Sequence, residues 1–263
     1  MRPRDSKSPR RILSLLAGVL IVEVVVGIVS NYRDYFPPDF GSDFLRGREG
    51  HFSGVYRRAF FAHILSGPVS LLLGLVLVGE RFRARFPGWH RRLGRVQVAC
   101  VVLLVTPGGL VMASHAAAGP VAAAGLAALA VATAASAWLG AGSASRGRIA
   151  DHRRWMWRCY LLLCSAVVLR LIGGLATVAG LDAPWIDPAA SWASWLAPLA
   201  VFELRERAGR GPAPGRSPGV GGNLLVPRDR HQGPSDVGRG AGLEEMHVTV
   251  DGAGVRAPRV VEP

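Results

Sequence analysis

The stretch DHRRWMWRCYLLLCSAVVLR, residues 151–170, decides the fold. A histidine and two arginines lead it, an apolar run follows, and a further arginine, Arg170, closes it. Its first half echoes WHRRLGR at 89–95, which also runs straight into apolar sequence. Two basic clusters at the mouths of two apolar runs read as the charged ends of membrane helices. Working outward, apolar runs occupy 12–30, 59–79, 96–113, 120–141, 156–179 and about 187–202. Each is roughly the length needed to cross ~30 Å of hydrocarbon at ~1.5 Å per residue. A chain of 263 residues that is 50% hydrophobic is therefore expected to be all-α, a polytopic bundle of six transmembrane helices.

The formal charge of +13 suits a nucleic-acid partner, but its placement does not. Arg2, Arg4, Lys7, Arg10 and Arg11 precede the first run, and Arg81, Arg83, Arg85, Arg91 and Arg92 follow the second. Arg146, Arg148, Arg153 and Arg154 follow the fourth, and Arg205 and Arg207 the sixth, whereas the links 114–119 and 180–186 hold no Lys or Arg. Every second connection is basic, the positive-inside pattern of a plasma (inner) membrane protein with both termini cytoplasmic and no nucleic-acid partner. The loop 31–58 departs from it, carrying Arg33, Arg46, Arg48, Arg57 and Arg58 against Asp34, Asp39, Asp43 and Glu49. A basic stretch before an apolar run also fits a secretory signal, yet no A-x-A-like site follows at IVSNYRDYF, so an uncleaved first helix is expected. Cys100, Cys159 and Cys164 are odd in number, lack CxxC spacing and fall inside the helices, which reads as small buried residues rather than a disulfide framework or zinc site.

The organisation expected is a basic cytoplasmic N-terminus (1–11), a first transmembrane helix (12–30), an extracytoplasmic loop (31–58), a five-helix bundle (59–205) and a disordered cytoplasmic tail (206–263). The loop is long enough for a short helix or a cap, and DYFPPDF opens it with aromatic residues suited to the membrane interface. The tail is rich in Gly, Pro and Arg, with MHVTVDGAGVRAP near its end as a candidate docking peptide. Ala124, Ala128 and Ala132 recur at four-residue intervals in the fourth helix, a spacing that lets helix backbones approach closely in lipid.

Ionisable groups within a bilayer are costly and need a partner or a purpose. Glu23 falls mid-way along the first helix, His63 about one turn inside the second from the outer surface, and Arg170 well inside the fifth. His115 lies at the outer end of the third helix, and His90 and His152 at inner helix starts. At ~1.5 Å per residue Glu23 is roughly 16 Å and Arg170 roughly 22 Å from the cytoplasmic side, within reach of an ion pair. The competing reading has Arg170 snorkel to the outer interface or bind an anionic ligand. His152 and Arg170 share a face if their helix is continuous, and His63, Gly67, Ser70 and Gly74 form a small-sided stripe on the second. Histidines on facing helices are what b-type haem takes as axial ligands. Arginines beside His90 and His152 suit lipid phosphate equally well. No paired-carboxylate site, nucleophile elbow, phosphate loop or zinc signature occurs, so enzyme activity is left open.

HILSGPVSLLLG (63–74), PGWHRRLGRVQV (87–98), GGLVMAS (108–114) and the opening stretch extended to Leu171 resemble, in order and spacing, the domain-of-unknown-function 2306 family of predicted membrane proteins. The family pattern is H-x3-G, H-R-x2-G-R, H-R-x-W-M-x-R and a later L-R-L, and the resemblance covers roughly 57–205. It highlights His63, Gly67, His90, Arg91, Gly94, Arg95, His152, Arg153, Trp155, Met156, Arg158 and Arg170. It implies a membrane bundle with no settled activity. It leaves His115 outside the motifs, which favours a single inner site from His90 and His152 over two haems. The functional expectation is a b-type haem-binding or redox membrane protein with His63, His90 and His152 as candidate ligands. The alternative is a transport or anionic-lipid-handling protein, with Arg91, Arg92, Arg95, Arg153 and Arg154 on the lipid and Glu23 paired to Arg170.

Overall fold

The computed structural model describes residues 7–42 and 44–209; the readings on residues 1–6 and on the tail, its docking peptide included, lie outside the described residues. Helix α1 spans Lys7–Ser30, α2 Gly54–Val78, α3 Glu80–Arg85, α4 Pro87–Cys100, α5 Thr106–Ala113, α6 Gly119–Ser145, α7 Ile149–Leu163, α8 Ser165–Val178 and α9 Ile186–Ala208. Among the described residues there is no strand, only an isolated bridge between Tyr35 and Pro38. Five segments are long and apolar enough to cross a membrane: Leu15–Asp34, Gly54–Val78, Pro87–Ala113, Gly119–Ser145 and Ile149–Val178. Helix α9 is the sixth helix of the expected set; Glu203, Arg205, Glu206 and Arg207 make its second half polar. All-helical architecture follows from lipid itself, where a segment must satisfy its own backbone groups.

Apolar residues face both inward and outward. On α1, Ile21 and Val25 are buried against Leu71, Tyr160 and Val167, while Leu15, Leu16, Val19, Val22, Val26 and Val29 are exposed. Exposed leucines and valines would be a liability in water; in hydrocarbon they are the solvent-compatible face. Helix α6 packs most extensively on α7 and also meets α5 and α9; α2 packs on α4, α5 and α7.

Two helices are less regular than their sequence suggests. Val101–Val105 is a π-helical stretch that leads into Thr106 and Pro107. Pro107 has no N–H for the ladder, and the widened turn lets the segment continue across it. The 156–179 run breaks at Cys164, a single turn residue between α7 and α8. The five-turn register linking His152 to Arg170 therefore does not hold. The loop 31–53 folds into a cap, with 3-10 turns at Asn31–Asp34 and Glu49–His51. Its core is Tyr35, Leu45 and Phe52 against Tyr56 and Phe60 of α2, with Leu45 and Phe60 at 0% exposure. Arg48 fastens it, donating to the Phe44 carbonyl (2.6 Å), the Tyr56 hydroxyl (3.2 Å) and the His115 carbonyl (3.4 Å). Arg46 donates to the Gly41 carbonyl, so part of the positive charge that breaks the loop pattern is tied up within the cap.

Small residues set the helix spacings. Of the expected alanines Ala124 is exposed and Ala128 and Ala132 are half-buried, while the buried face of α6 is Ala122, Gly125, Thr133, Ser136, Ala137, Gly140 and Ser143. A Cβ on Gly140 would meet the Met156 sulfur at 2.7 Å, and one on Gly108 the Ala59 carbonyl oxygen at 2.7 Å and the His63 Cβ at 2.8 Å. The three cysteines are free, with Cys159 buried and the others half-buried, as expected of small apolar residues. Replacing Gly108 by Ala forces α2 and α5 apart and is expected to destabilise the fold by about 1–3 kcal/mol. Gly173→Ala, which meets nothing within 4 Å, is the control expected to leave the melting temperature in detergent unchanged.

Candidate functional site

Beneath the cap lies a cavity of about 520 Å³, bordered by α1, α2 and α5–α9. Its existence follows from small residues at converging positions: Gly67 on α2, Gly109 on α5, Ala130 on α6, Ala166 and Gly173 on α8, Ser191 and Ser194 on α9. Leu71, Leu126, Leu129 and Leu162 give it apolar walls, and Tyr35, Phe44 and Arg48 of the cap form its lid. Two ionisable side chains singled out from the sequence reach it, His63 and Arg170. Of the expected α2 stripe, His63 and Gly67 border the cavity. Ser70 and Gly74 instead face Gln97 and Tyr160: the Ser70 carbonyl accepts from Gln97 Nε2 at 2.9 Å.

His63 sits deeper than its sequence position suggests, because α2 begins at Gly54 and places it nine residues in. Its Nδ1 donates to the Val105 carbonyl at 2.8 Å, across to the π-helical stretch. A carbonyl can only accept, so Nδ1 carries the proton and Nε2 is left with its lone pair in the neutral ring. Gly108 and Gly109 make the seat for this ring: a Cβ on Gly109 would lie 3.2 Å from His63 Cε1.

Arg170, an exposed side chain, donates from Nη1 to the Ala166 carbonyl at 3.0 Å, one turn back on α8, and has Tyr35 and His63 as titratable neighbours. The expected ion pair with Glu23 is not formed. Glu23 lies two residues from both Ile21 and Val25, about 200° around α1 from the face those residues bury. It is exposed, with no ion pair among the described residues. Asp187 at the start of α9 also borders the cavity, and no salt bridge joins it to Arg170.

The other two histidines lie at the arginine-rich end. His152 donates from Nδ1 to the Gly140 carbonyl at 2.9 Å, binding α7 to α6. His90 is close enough to feel the charges of Arg83 and His152, and its buried Nδ1 has no hydrogen-bond partner among the described residues. The structure thus brings His90 and His152 near one another and keeps His63 apart, so the three expected ligands do not converge. Neither His90 nor His152 borders the cavity, and among the described residues no group of three or more His, Cys, Asp or Glu could hold a metal ion.

The arginines of that end divide in two. Arg158 makes a two-point contact with Glu203 of α9, at 2.5 and 3.1 Å, and lies 4.5 Å from the Trp155 ring centre. Arg154 reaches Glu206 at 3.2 Å, and Arg153 reaches Glu80 at 3.2 Å. Arg153 and Arg154, expected on lipid, therefore tie α7 to α3 and α9. Arg91, Arg92 and Arg95 are exposed on α4 with no acidic partner among the described residues; Arg92 lies 5.8 Å from the Trp89 ring centre. Sequence reasoning missed Glu203 and Glu206, whose signal was their spacing of three on a helix end opposite HRRWMWR.

It also missed His51. That ring stacks on His115 at 4.8 Å and meets Tyr56 edge-on at 4.8 Å, beside Arg48. Two histidines far apart in sequence become neighbours only because the cap folds back.

The profile of the domain-of-unknown-function 2306 family, described as a predicted membrane protein, matches residues 60–205. The chain belongs to that family. Within this DUF2306 region lie His63, Gly108 and Gly109, His152 and Arg170, so most of the cavity wall is family sequence. Tyr35, Phe44 and Arg48, the lid, precede the DUF2306 match, as does α1. No curated protein and no solved structure matches the chain.

The cap is expected to respond to pH through His51. Burial first, then the charges of His115 and Arg48, hold the His51 pKa below its usual 6.5. The unfolded segment then takes up the proton more readily, so cap stability is full above about pH 6.5 and falls as pH drops through that value. Amide exchange in residues 44–53, corrected for intrinsic rate, is expected to be faster at ~pH 5.5 than at ~pH 7.5. His51→Phe should flatten that difference; equal protection at both pH values in the unaltered protein would contradict the reading.

Proposed function

We propose that this protein binds a hydrophobic small molecule in the capped cavity, as the binding step of a transport or lipid-handling activity in the plasma (inner) membrane. The observation that carries this reading is the cavity itself: its ~520 Å³ falls within the ~300–1,000 Å³ typical of small-molecule sites, and its walls are apolar with a few polar groups. The arginine-rich end faces the cytoplasm, with both termini there, and the cap faces outward. Arg91, Arg92 and Arg95, with exposed Trp89 and Phe86 beside them, contact anionic headgroups of the inner leaflet. Arg153 and Arg154 drop out of that contact because carboxylates already neutralise them.

The haem reading gains no support from this geometry, since His63 lies at the cavity, apart from His90 and His152, and His152 Nδ1 is already held by the Gly140 carbonyl. Protein purified from haem-replete cells is expected to be colourless; a Soret band would reinstate the haem reading. To test the cavity, a diazirine-bearing fatty alcohol is photolysed with the protein in nanodiscs and the labelled peptides are mapped. Labels are expected on cavity residues of α5 and α6, with loss in Ala130→Phe and Ala166→Phe; labels confined to lipid-facing positions such as Val131 and Trp138 would refute it.

The two kinds of rim arginine are separable in one comparison. Arg158→Gln removes the two-point contact to Glu203, only 30% exposed, and should lower thermal stability by about 1–2 kcal/mol. The triple change Arg91→Gln, Arg92→Gln, Arg95→Gln should leave stability alone and halve, to within about a factor of two, the anionic phospholipid that co-purifies. Unchanged lipid in the triple variant would remove the headgroup contact.

A further inference from the structure

We infer that the molecule held in the cavity is an anionic amphiphile whose carboxylate or phosphate head is paired with Arg170 and whose apolar chain lies along the leucine walls. The inference rests on the cavity reading above and adds the charge of the ligand to it.

Arg170 is eight residues from Val178, the last residue of α8, or about 12 Å along the helix. A guanidinium cannot shed its proton, so inside a membrane it needs an anion or a route to water. Among the described residues it has one hydrogen bond, to the Ala166 carbonyl, which leaves most of its five donors unassigned. The two carboxylates that could have neutralised it do not: Glu23 is on the outward face of α1, and Asp187 makes no salt bridge with it.

Arg48, the other guanidinium at this cavity, is already committed to Phe44, Tyr56 and His115. The contrast with the basic end is direct, since there Arg153, Arg154 and Arg158 each have a glutamate. Among the described residues Arg91, Arg92 and Arg95 go without an acid at the open surface of α4, whereas Arg170 goes without one against an apolar cavity, where an external anion has a site. The planar fork suits two head oxygens at once, as carboxylates and phosphates present. His63, on the same cavity, offers Nε2 as an acceptor for a hydroxyl near the head.

A free fatty acid and an alkyl phosphate or phospholipid share this chemistry, and the test separates them. Three diazirine probes of equal chain length are photolysed with the full chain in neutral-lipid nanodiscs: a fatty acid, an alkyl phosphate and the fatty alcohol. One or both anionic probes should label cavity residues at least about tenfold more than the alcohol, the effect of one well-placed charge pair. A stronger carboxylate signal assigns a fatty acid, and a stronger phosphate signal a phosphate-headed lipid. Arg170→Gln should reduce anion labelling to the alcohol level without changing alcohol labelling, and Arg170→Lys should retain part of the preference. Should Arg170→Gln fail to fold, the anion-to-alcohol ratio in the unaltered protein and its fall in Arg170→Lys still decide. Equal labelling by alcohol and anions would overturn the anionic head and leave the cavity reading standing. No cavity labelling by any probe would overturn both.

Discussion

The hydrogen bond from His63 to the Val105 carbonyl joins the parts on which the cavity depends. It needs an acceptor at the end of the π-helical stretch, and the Val105 carbonyl, with two lone pairs, can take the ring N–H. It needs room for an imidazole between α2 and α5, which Gly108 and Gly109 supply. With those in place, α2 and α5 lie close at one edge and the small residues farther along leave space at the other. The same elements that hold the bundle together therefore define what it can enclose. This also gives HILSG and TPGGL, which are far apart in sequence, one shared physical reason.

How much of this the sequence carried depended on the range of each interaction. The all-helical architecture and its five apolar spans were legible because hydrocarbon thickness and backbone satisfaction act on continuous runs of chain. Their ends came out longer at 54, 87, 149 and 208, since polar residues such as Arg57, His90 and Arg153 continue a helix past the apolar core. The division at Cys164 was not legible; nothing in LLLCSAVV breaks helical periodicity, and the turn belongs to how α7 and α8 separately meet their neighbours. The Glu23–Arg170 pairing failed for a related reason. Depth can be counted along a chain, but facing depends on which stripe of α1 is buried, and Ile21 and Val25 bury the opposite one.

The histidines show the same division between local and distant causes. Their clustering with arginine was visible, and so was their place at helix ends. What each ring does was not, because its partner lies on another helix: Val105 for His63, Gly140 for His152, His115 for His51. Each of the first two has Nδ1 fixed by a carbonyl, so these are rings set in one tautomer by the fold. For His152 this tie accounts for the residue without any ligand, since it draws α7 onto α6 where Gly140 meets Met156.

Arginine placement has been read as topology throughout this kind of sequence, and the structure separates that reading into parts. Positive charge at a helix end orients a segment whatever the side chain later touches. Once folded, Arg153, Arg154 and Arg158 serve as ties to Glu80, Glu206 and Glu203, and their charge is spent within the protein. Arg91, Arg92 and Arg95 keep theirs for the interface. Arg170 fits neither group: it is inside a helix rather than at its end, so orientation does not require it, and no acid receives it, so packing does not explain it. A charge with neither topological nor structural use, at membrane depth beside a cavity with apolar walls, is where the cost of placing charge in hydrocarbon points to a function.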